Sequence, residues 1–459
     1  MTSTQPRPAL LADSFGGYVR AAAAAGHLVV QPRMGMSAPD AMRAGLLATR
    51  DARAVTIGTI TLDSYTRVGD HAAVADTLAR GIDLNGYPIV HFAGATNDAL
   101  LAGLADDGFP IQVRHGSAAP GAIFAAIGQA GLAASEGGPV SYCLPYGRTP
   151  LADSVRHWAA ACETFAAAAA GRQPHLETFG GCMMGQLCPP SLLVAISVLE
   201  AMFFRQHGIR SISLSYAQQT NALQDQQAIA ALRRLATELL PDVDWHVVLY
   251  TYMGVYPASP EGACILLEES ARLAVRSGAE RLIVKTVAEA HRIPTVAENV
   301  LALETAAAAA GDERSLSYPA VADDEVYAEA RALVAAVLDC HPDLGRALRT
   351  AFAKGYLDVP YCLHPDNAGR SRSYLDSDGR LRWAVTGAMP IPGRRAERAG
   401  HRLSSANLLS WLTYVGRKFD SIAVAARLSR PDLAGGASAR PAASPTQGLV
   451  PASRRSTFA

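Results

Sequence analysis

What most constrains the fold is a rhythm in the sequence. Short β-branched or apolar runs alternate with Ala- and Leu-rich stretches of helical length. Strands are predicted near His27–Gln31, Val55–Ile60, Tyr87–Phe92, Ile111–Arg114, Val140–Leu144, Leu176–Phe179, Ser211–Tyr216, Trp245–Tyr250 and Arg281–Thr286. Between them, helices are predicted near Ala118–Ala133, Leu151–Ala170, Pro190–His207, Asn221–Leu240, Pro260–Ser277 and Thr295–Ala310. Eight or nine such units fit an α/β chain folded as a (β/α)₈ TIM barrel better than an open doubly wound sheet. No Gly-x-Gly-x-x-Gly follows a strand, which weakens the dinucleotide-binding alternative. Three alanine strings, Ala21–Gly26, Ala166–Gly171 and Ala306–Gly311, each end in a glycine able to cap a helix, and each reads as a helix stop.

The rhythm divides the chain. Residues 1–20 form an N-terminal segment and 21–316 the barrel. Residues 317–428 form a helical and irregular C-terminal extension, with helices near Asp324–Leu338 and Leu344–Lys354, packing on the barrel or on a partner. Residues 429–459, rich in Pro, Ala, Ser and Arg, read as a disordered tail.

Charge narrows the function. Lys+Arg and Asp+Glu are both 41, so no global field draws the chain to nucleic acid or an anionic membrane, and neither is expected as a partner. Three of the basic residues are lysines (Lys285, Lys354, Lys418), none after a glycine, which excludes a P-loop NTPase. The other 38 are arginines, so an arginine carries information only through its position. The seven cysteines are dispersed without a Cys-x-x-Cys, which argues against a zinc or iron–sulfur site and for reduced thiols. The N-terminus lacks a signal-peptide pattern, and the longest apolar stretch, Ser191–Phe204, is interrupted by Glu200 and too short to span a bilayer. A cytoplasmic protein is expected.

In barrels, chemistry sits where the strands end, and the residues there are Arg33, His91, Arg114, Tyr142, Glu177, Tyr216, Tyr250 and Lys285. Arg33, Arg67 and Arg114 follow successive apolar runs. A guanidinium at an apolar mouth is costly unless it meets an anion, and its fork matches a carboxylate; the plain alternative is that each caps strand carbonyls or pairs with a nearby acid. Glu136 precedes a strand run that carries Tyr142, with Tyr146 four further on; a carboxylate beside two phenols could hold an ammonium group, or these are a loop glutamate and two half-buried tyrosines. Lys285 ends an apolar run in a chain otherwise converted to arginine. It suits a hydroxyl contact, a Schiff base or an ion pair with Glu289.

Taken together, these segments resemble the epsilon subunit of methylaspartate mutase, also called glutamate mutase. The resemblance runs from about Val29 to about Pro392, through QPRMG, YTRV, LNGYP, QVRHGS, SEGGPVSYCLPY, FGG with CPPS, VKT with E and IPT, and YLDVPY with NAG. It implies a (β/α)₈ barrel and an adenosylcobalamin-dependent radical rearrangement interconverting L-glutamate and (2S,3S)-3-methylaspartate. Arg33, Arg67 and Arg114 match the family's arginine claw on the substrate carboxylates. Glu136 matches the contact to the substrate amine, Tyr142 and Tyr146 the tyrosines beside it, and Lys285 and Glu289 the pair on the adenosyl ribose. The family's small subunit supplies the cobalt-ligating histidine in Asp-x-His-x-x-Gly. This chain has no such string, so a separate cobalamin-binding partner is expected, with a homodimer of this chain inside a heterotetramer. Departures at Val287-Ala288, after Phe179 and at Tyr216-Ala-Gln-Gln-Thr-Asn leave open a paralogue acting on a related dicarboxylic amino or 2-oxo acid. A Schiff-base lyase built on Lys285 and an inactive scaffold for a cobalamin protein are the other readings.

Overall fold

The computed structural model describes residues 14–429 apart from 93, 105–107, 146, 169–171, 184–186, 315–323 and 392–403. Tyr146 and nearly all of the expected disordered tail therefore lie outside the described residues. Eight parallel strands form the barrel: β1 (Val29–Gln31), β2 (Gly58–Thr61), β3 (Ile111–Arg114), β4 (Ala134–Gly137), β5 (His175–Thr178), β6 (Ser211–Ala217), β7 (Asp244–Tyr250) and β8 (Arg281–Ile283). They pair in chain order, β8 returns to β1, and a single parallel bridge between Val30 and Thr56 completes the ring.

The helices of the barrel and its floor are α1 (Phe15–Ala24), α2 (Pro39–Asp51), α3 (Ser64–Val68), α4 (His71–Ala79), α5 (Gly94–Leu101), α6 (Gly121–Gln129), α7 (Leu151–Ala168), α8 (Pro190–Gln206), α9 (Ala222–Leu239), α10 (Pro260–Ser277) and α11 (Val296–Arg314). The extension adds α12 (Asp324–Leu338), α13 (Leu344–Lys354), a hairpin of β9 (Arg372–Leu375) and β10 (Leu381–Val385), α14 (Ser405–Leu412) and α15 (Tyr414–Leu428). Among the described residues no helix is long and apolar enough to cross a membrane.

The apolar stretch around Ser191 is α8, buried without interruption from Pro190 to Ala201 because β5 and β6 lie on one side and α9, α12 and α13 on the others. Each large apolar side chain fully buried there contributes about 1.5–3 kcal/mol relative to exposure. The extension is thus a second coat over the barrel. At the opposite end α1 plugs the floor: Phe15, Tyr18, Val19 and Ala22 pack on Val29, Val55, Ile57 and Ala134.

Three expectations need correction. Tyr87–Phe92 is not a strand; Tyr87 makes one bridge to Leu62, and Pro88, lacking an N–H, cannot extend the ladder. Val140–Leu144 is a turn. The strand lies earlier, at Ala134–Gly137, and ends where Gly137 adopts φ +133°; the N–H groups of Val140 and Ser141 are taken by the Glu200 carboxylate instead of a neighbouring strand. The string Ala306–Gly311 does not stop its helix, because α11 continues to Arg314 and anchors buried Glu313 to Arg276 at 2.6 Å. Ala21–Gly26 does end a helix, with Gly26 left-handed at φ +79°.

Candidate active site

Alternation along the strands puts polar side chains inside the barrel in layers. On the plug rests His175, 4.6 Å from the Phe15 ring and stacked on His246 at 5.3 Å. Above it Arg281 and Glu177, both fully buried, form an ion pair. Arg281 also donates to Gln31, to Ser213 Oγ at 2.8 Å and to Gln112 Oε1 at 3.3 Å, so both of its terminal nitrogens are engaged. The next layer up is the C-terminal mouth.

β3 ends on Arg114, only 4% exposed. Its Nε donates to Glu136 Oε2 at 2.7 Å and its Nη2 to the Tyr250 hydroxyl at 3.1 Å. Its third nitrogen, Nη1, is buried without a partner. An unsatisfied buried guanidinium nitrogen is expensive, and a carboxylate is its natural complement. Glu136 lies on β4, not ahead of a strand; Tyr142 donates to its Oε1 and Tyr250 stands 2.9 Å from its Oε2.

Arg67 follows the plain alternative in part, since its Nε and Nη2 donate to the Leu62 carbonyl at 2.8 and 2.6 Å. Burial lowers its pKa, the positive charges of Arg33 and Arg114 lower it further, and Tyr142 and Glu136 oppose them, so all of these groups share one electrostatic neighbourhood. On the other side of the mouth Glu289 joins Lys285 at 3.3 Å and Arg33 at 3.7 Å. Burial, then the charge of Arg33, pulls the Lys285 ammonium down to about 8 against the attraction of Glu289. The predicted residues thus form two groups, Arg114 with Glu136 and Tyr142, and Lys285 with Glu289 and Arg33. Arg67 carries the field between them.

Other predicted rim residues do not join. His91 is exposed, and Tyr216 points outward to donate to Asp225 Oδ1 at 2.9 Å. Glu177 sits one layer below the mouth. Tyr250, noted at a strand end without a role, is the link between the layers.

Two contributors gave almost no signal in sequence. His115 accepts from the Ser117 N–H through Nδ1 at 3.1 Å and lies against Trp158, Phe124 and Tyr142. Burial, then Arg67 and Arg114, drives its pKa down to about 3, so it is neutral. Glu200, which looked like an interruption of an apolar run, accepts from the N–H groups of Val140, Ser141 and Gly180 and from the Ser141 hydroxyl, at 2.8–3.2 Å. It holds the turn that carries Tyr142 and the turn after β5. A Cβ on Gly138 would collide with its carboxylate. Among the described residues no group of three or more His, Cys, Asp and Glu could hold a metal ion.

The model of the methylaspartate mutase E chain (MutE) family matches residues 12–407. The chain belongs to this family. Methylaspartate mutase E chains are isomerase subunits, and the curated relatives agree. The glutamate mutase epsilon subunit of Escherichia coli O157:H7 is 30% identical over 388 residues, covering 80% of this chain and 79% of that one. That of Haloarcula marismortui is 28% identical over 431 residues, covering 89% and 88%. The matched span includes both groups of mouth residues and most of the extension.

Proposed function

We propose that this chain is the substrate-binding subunit of a cytoplasmic, coenzyme-B12-dependent mutase that interconverts L-glutamate and (2S,3S)-3-methylaspartate. The observation that carries the reading is the free Nη1 of buried Arg114 beside Glu136. A diacid's carboxylate complements the guanidinium, Arg67 and Arg33 extend the positive field toward the second carboxylate, and Glu136 with Tyr142 accepts the ammonium group. Anchoring both ends keeps the reacting carbons in register through a rearrangement, and the closed barrel excludes water and stray hydrogen donors.

The mouth also suits the cofactor. Thr61 Oγ1, Asp63 Oδ2 and Thr66 Oγ1 are buried without partners at the end of β2, and Lys285 with Glu289 offers a donor and an acceptor to ribose hydroxyls. Adenosylcobalamin, when bound, supplies the radical that removes and returns the migrating hydrogen. Its cobalt-ligating histidine comes from a separate small subunit carrying Asp-x-His-x-x-Gly, in a heterotetramer built on a homodimer of this chain. Exposed Val68 at the end of α3, with Val255 and Ile293 in the loops after β7 and β8, offers that subunit apolar contacts.

The test combines this chain with such a small subunit and adenosylcobalamin, supplies glutamate and related diacids, and follows products by NMR. Conversion of glutamate to methylaspartate is expected, with a substrate-dependent radical signal. Conversion of only another diacid would reassign the substrate, and silence with all of them would overturn the reading.

A further inference from the structure

Glu136 and Glu177 are register partners on β4 and β5, and both carboxylates lie buried inside the barrel. Between them stands the Tyr250 hydroxyl, 2.9 Å from Glu136 Oε2, hydrogen-bonded to Glu177 Oε1, and accepting from Arg114 Nη2 at 3.1 Å. A phenol has one hydrogen to give. When it points to Glu177, the contact with Glu136 becomes a hydrogen bond only if Glu136 itself carries a proton and donates.

The two carboxylates are not equivalent acceptors of that proton. Glu177 Oε2 is held by Arg281 and by Ser213 Oγ and Gln112 Nε2, each at 3.2 Å, an environment built for the anion. Glu136 shares its counter-ion, Arg114, with the vacant position at Nη1. A substrate carboxylate placed there would take over as the anion for Arg114 and release Glu136 from that duty.

We propose that Tyr250 and Glu177 are positioning residues that enable Glu136 to accept a proton from the substrate's ammonium group. This rests on the diacid reading above. The N–H bond of the ammonium breaks as an O–H bond forms on Glu136. Glu136 Oε2 then donates to the Tyr250 oxygen, and the Tyr250 hydrogen turns from Glu136 to Glu177. Charge and atoms balance, no electrons are exchanged, and the reverse motion returns the proton to the product. The charged and titratable groups facing Glu136 are Arg114 from β3, Glu177 from β5, Tyr250 from β7, Tyr142 from the turn after β4, Arg67 from α3 and Cys182 from the turn after β5.

The test uses Tyr250→Phe and Glu177→Gln in the complex with the small subunit and adenosylcobalamin. Both should lower kcat by about tenfold to a hundredfold with the glutamate KM within about threefold, a part of the roughly 10²–10⁴-fold that a positioned proton acceptor contributes. A Tyr250 that only steadies Arg114 would raise KM and leave kcat alone, and that result would overturn the proposal. Independently of turnover, glutamate binding to the chain should produce a protonated-carboxyl band in the infrared difference spectrum. The band should be lost in Glu136→Gln and weakened in Tyr250→Phe. Glu177→Gln leaves Arg281 unpaired, so the double variant Glu177→Gln/Arg281→Gln carries the same expectation for kcat if the single variant fails to fold. Glutamate binding without the band overturns the relay alone; calorimetry showing no diacid bound overturns both the relay and the reading beneath it.

Discussion

Two buried Arg–Glu pairs sit one above the other in the barrel and differ in which nitrogen is left unanswered. In the lower one, Arg281 spends both terminal nitrogens on Glu177, Gln31, Gln112 and Ser213, with no exposure of either charge and only its Nε left without a partner. In the upper one, Arg114 gives Nε to Glu136 and Nη2 to Tyr250 and keeps Nη1 in reserve. The first closes the barrel interior; the second leaves a terminal nitrogen without a partner at the mouth, where the proposed diacid would place a carboxylate. A buried ion pair therefore signals function through an unanswered terminal nitrogen at the mouth, not through its presence.

The contrast can be broken most severely from below. Arg281→Met strands the Glu177 carboxylate and should cost about 3–5 kcal/mol of stability, whereas Arg281→Met/Glu177→Leu, which removes both charges, should recover most of it in denaturant titrations. From above, the effect should fall on activity. Arg114→Lys still meets Glu136 but loses the planar fork, so kcat/KM should drop about 10²–10³-fold while the melting temperature stays close to wild type. Equal loss of stability at the two levels would erase the distinction. Lys285→Met, at the other group of the mouth, should raise the adenosylcobalamin concentration needed for half-maximal activity about tenfold or more with little change in glutamate KM.

The gentlest effect is in the support beneath Tyr142. Burial pushes the Glu200 carboxyl up to about 7, above the ordinary value of 4.5, despite its four hydrogen bonds. The folded state thus holds this proton more tightly than the unfolded chain. Its contribution to stability is present below pH 4.5 and is lost as pH rises through 7, at up to about 1.4 kcal/mol per pH unit. Glu200→Gln should flatten that slope in pH-dependent unfolding and, by loosening the turn, lower activity more than Lys285-type cofactor affinity.

Much of this was legible in the sequence because barrels write their strands and helices in alternation. Arg114, Lys285 and Glu289 stood out by position, not type, and the fold brings them to the barrel mouth, whereas Glu136 lies within a strand the sequence pattern had placed after it. The failures have a common physical cause: side chains outbid the backbone pattern. Val140–Leu144 looks extended, yet a distant carboxylate on α8 folds it into a turn, while Ala134-Ser-Glu-Gly has no β-branched residue and is a strand because its neighbours pair with it. Glu200 and Arg281 were opaque for the same reason, since a buried charge in a run of apolar residues reveals nothing until its partners, far away in sequence, are placed around it.

The most direct test of the central claim is a structure of the chain with L-glutamate bound. The account predicts one carboxylate within hydrogen-bonding distance of Arg114 Nη1 and the ammonium group beside Glu136. Glutamate bound elsewhere, with Nη1 still unpartnered, would contradict it.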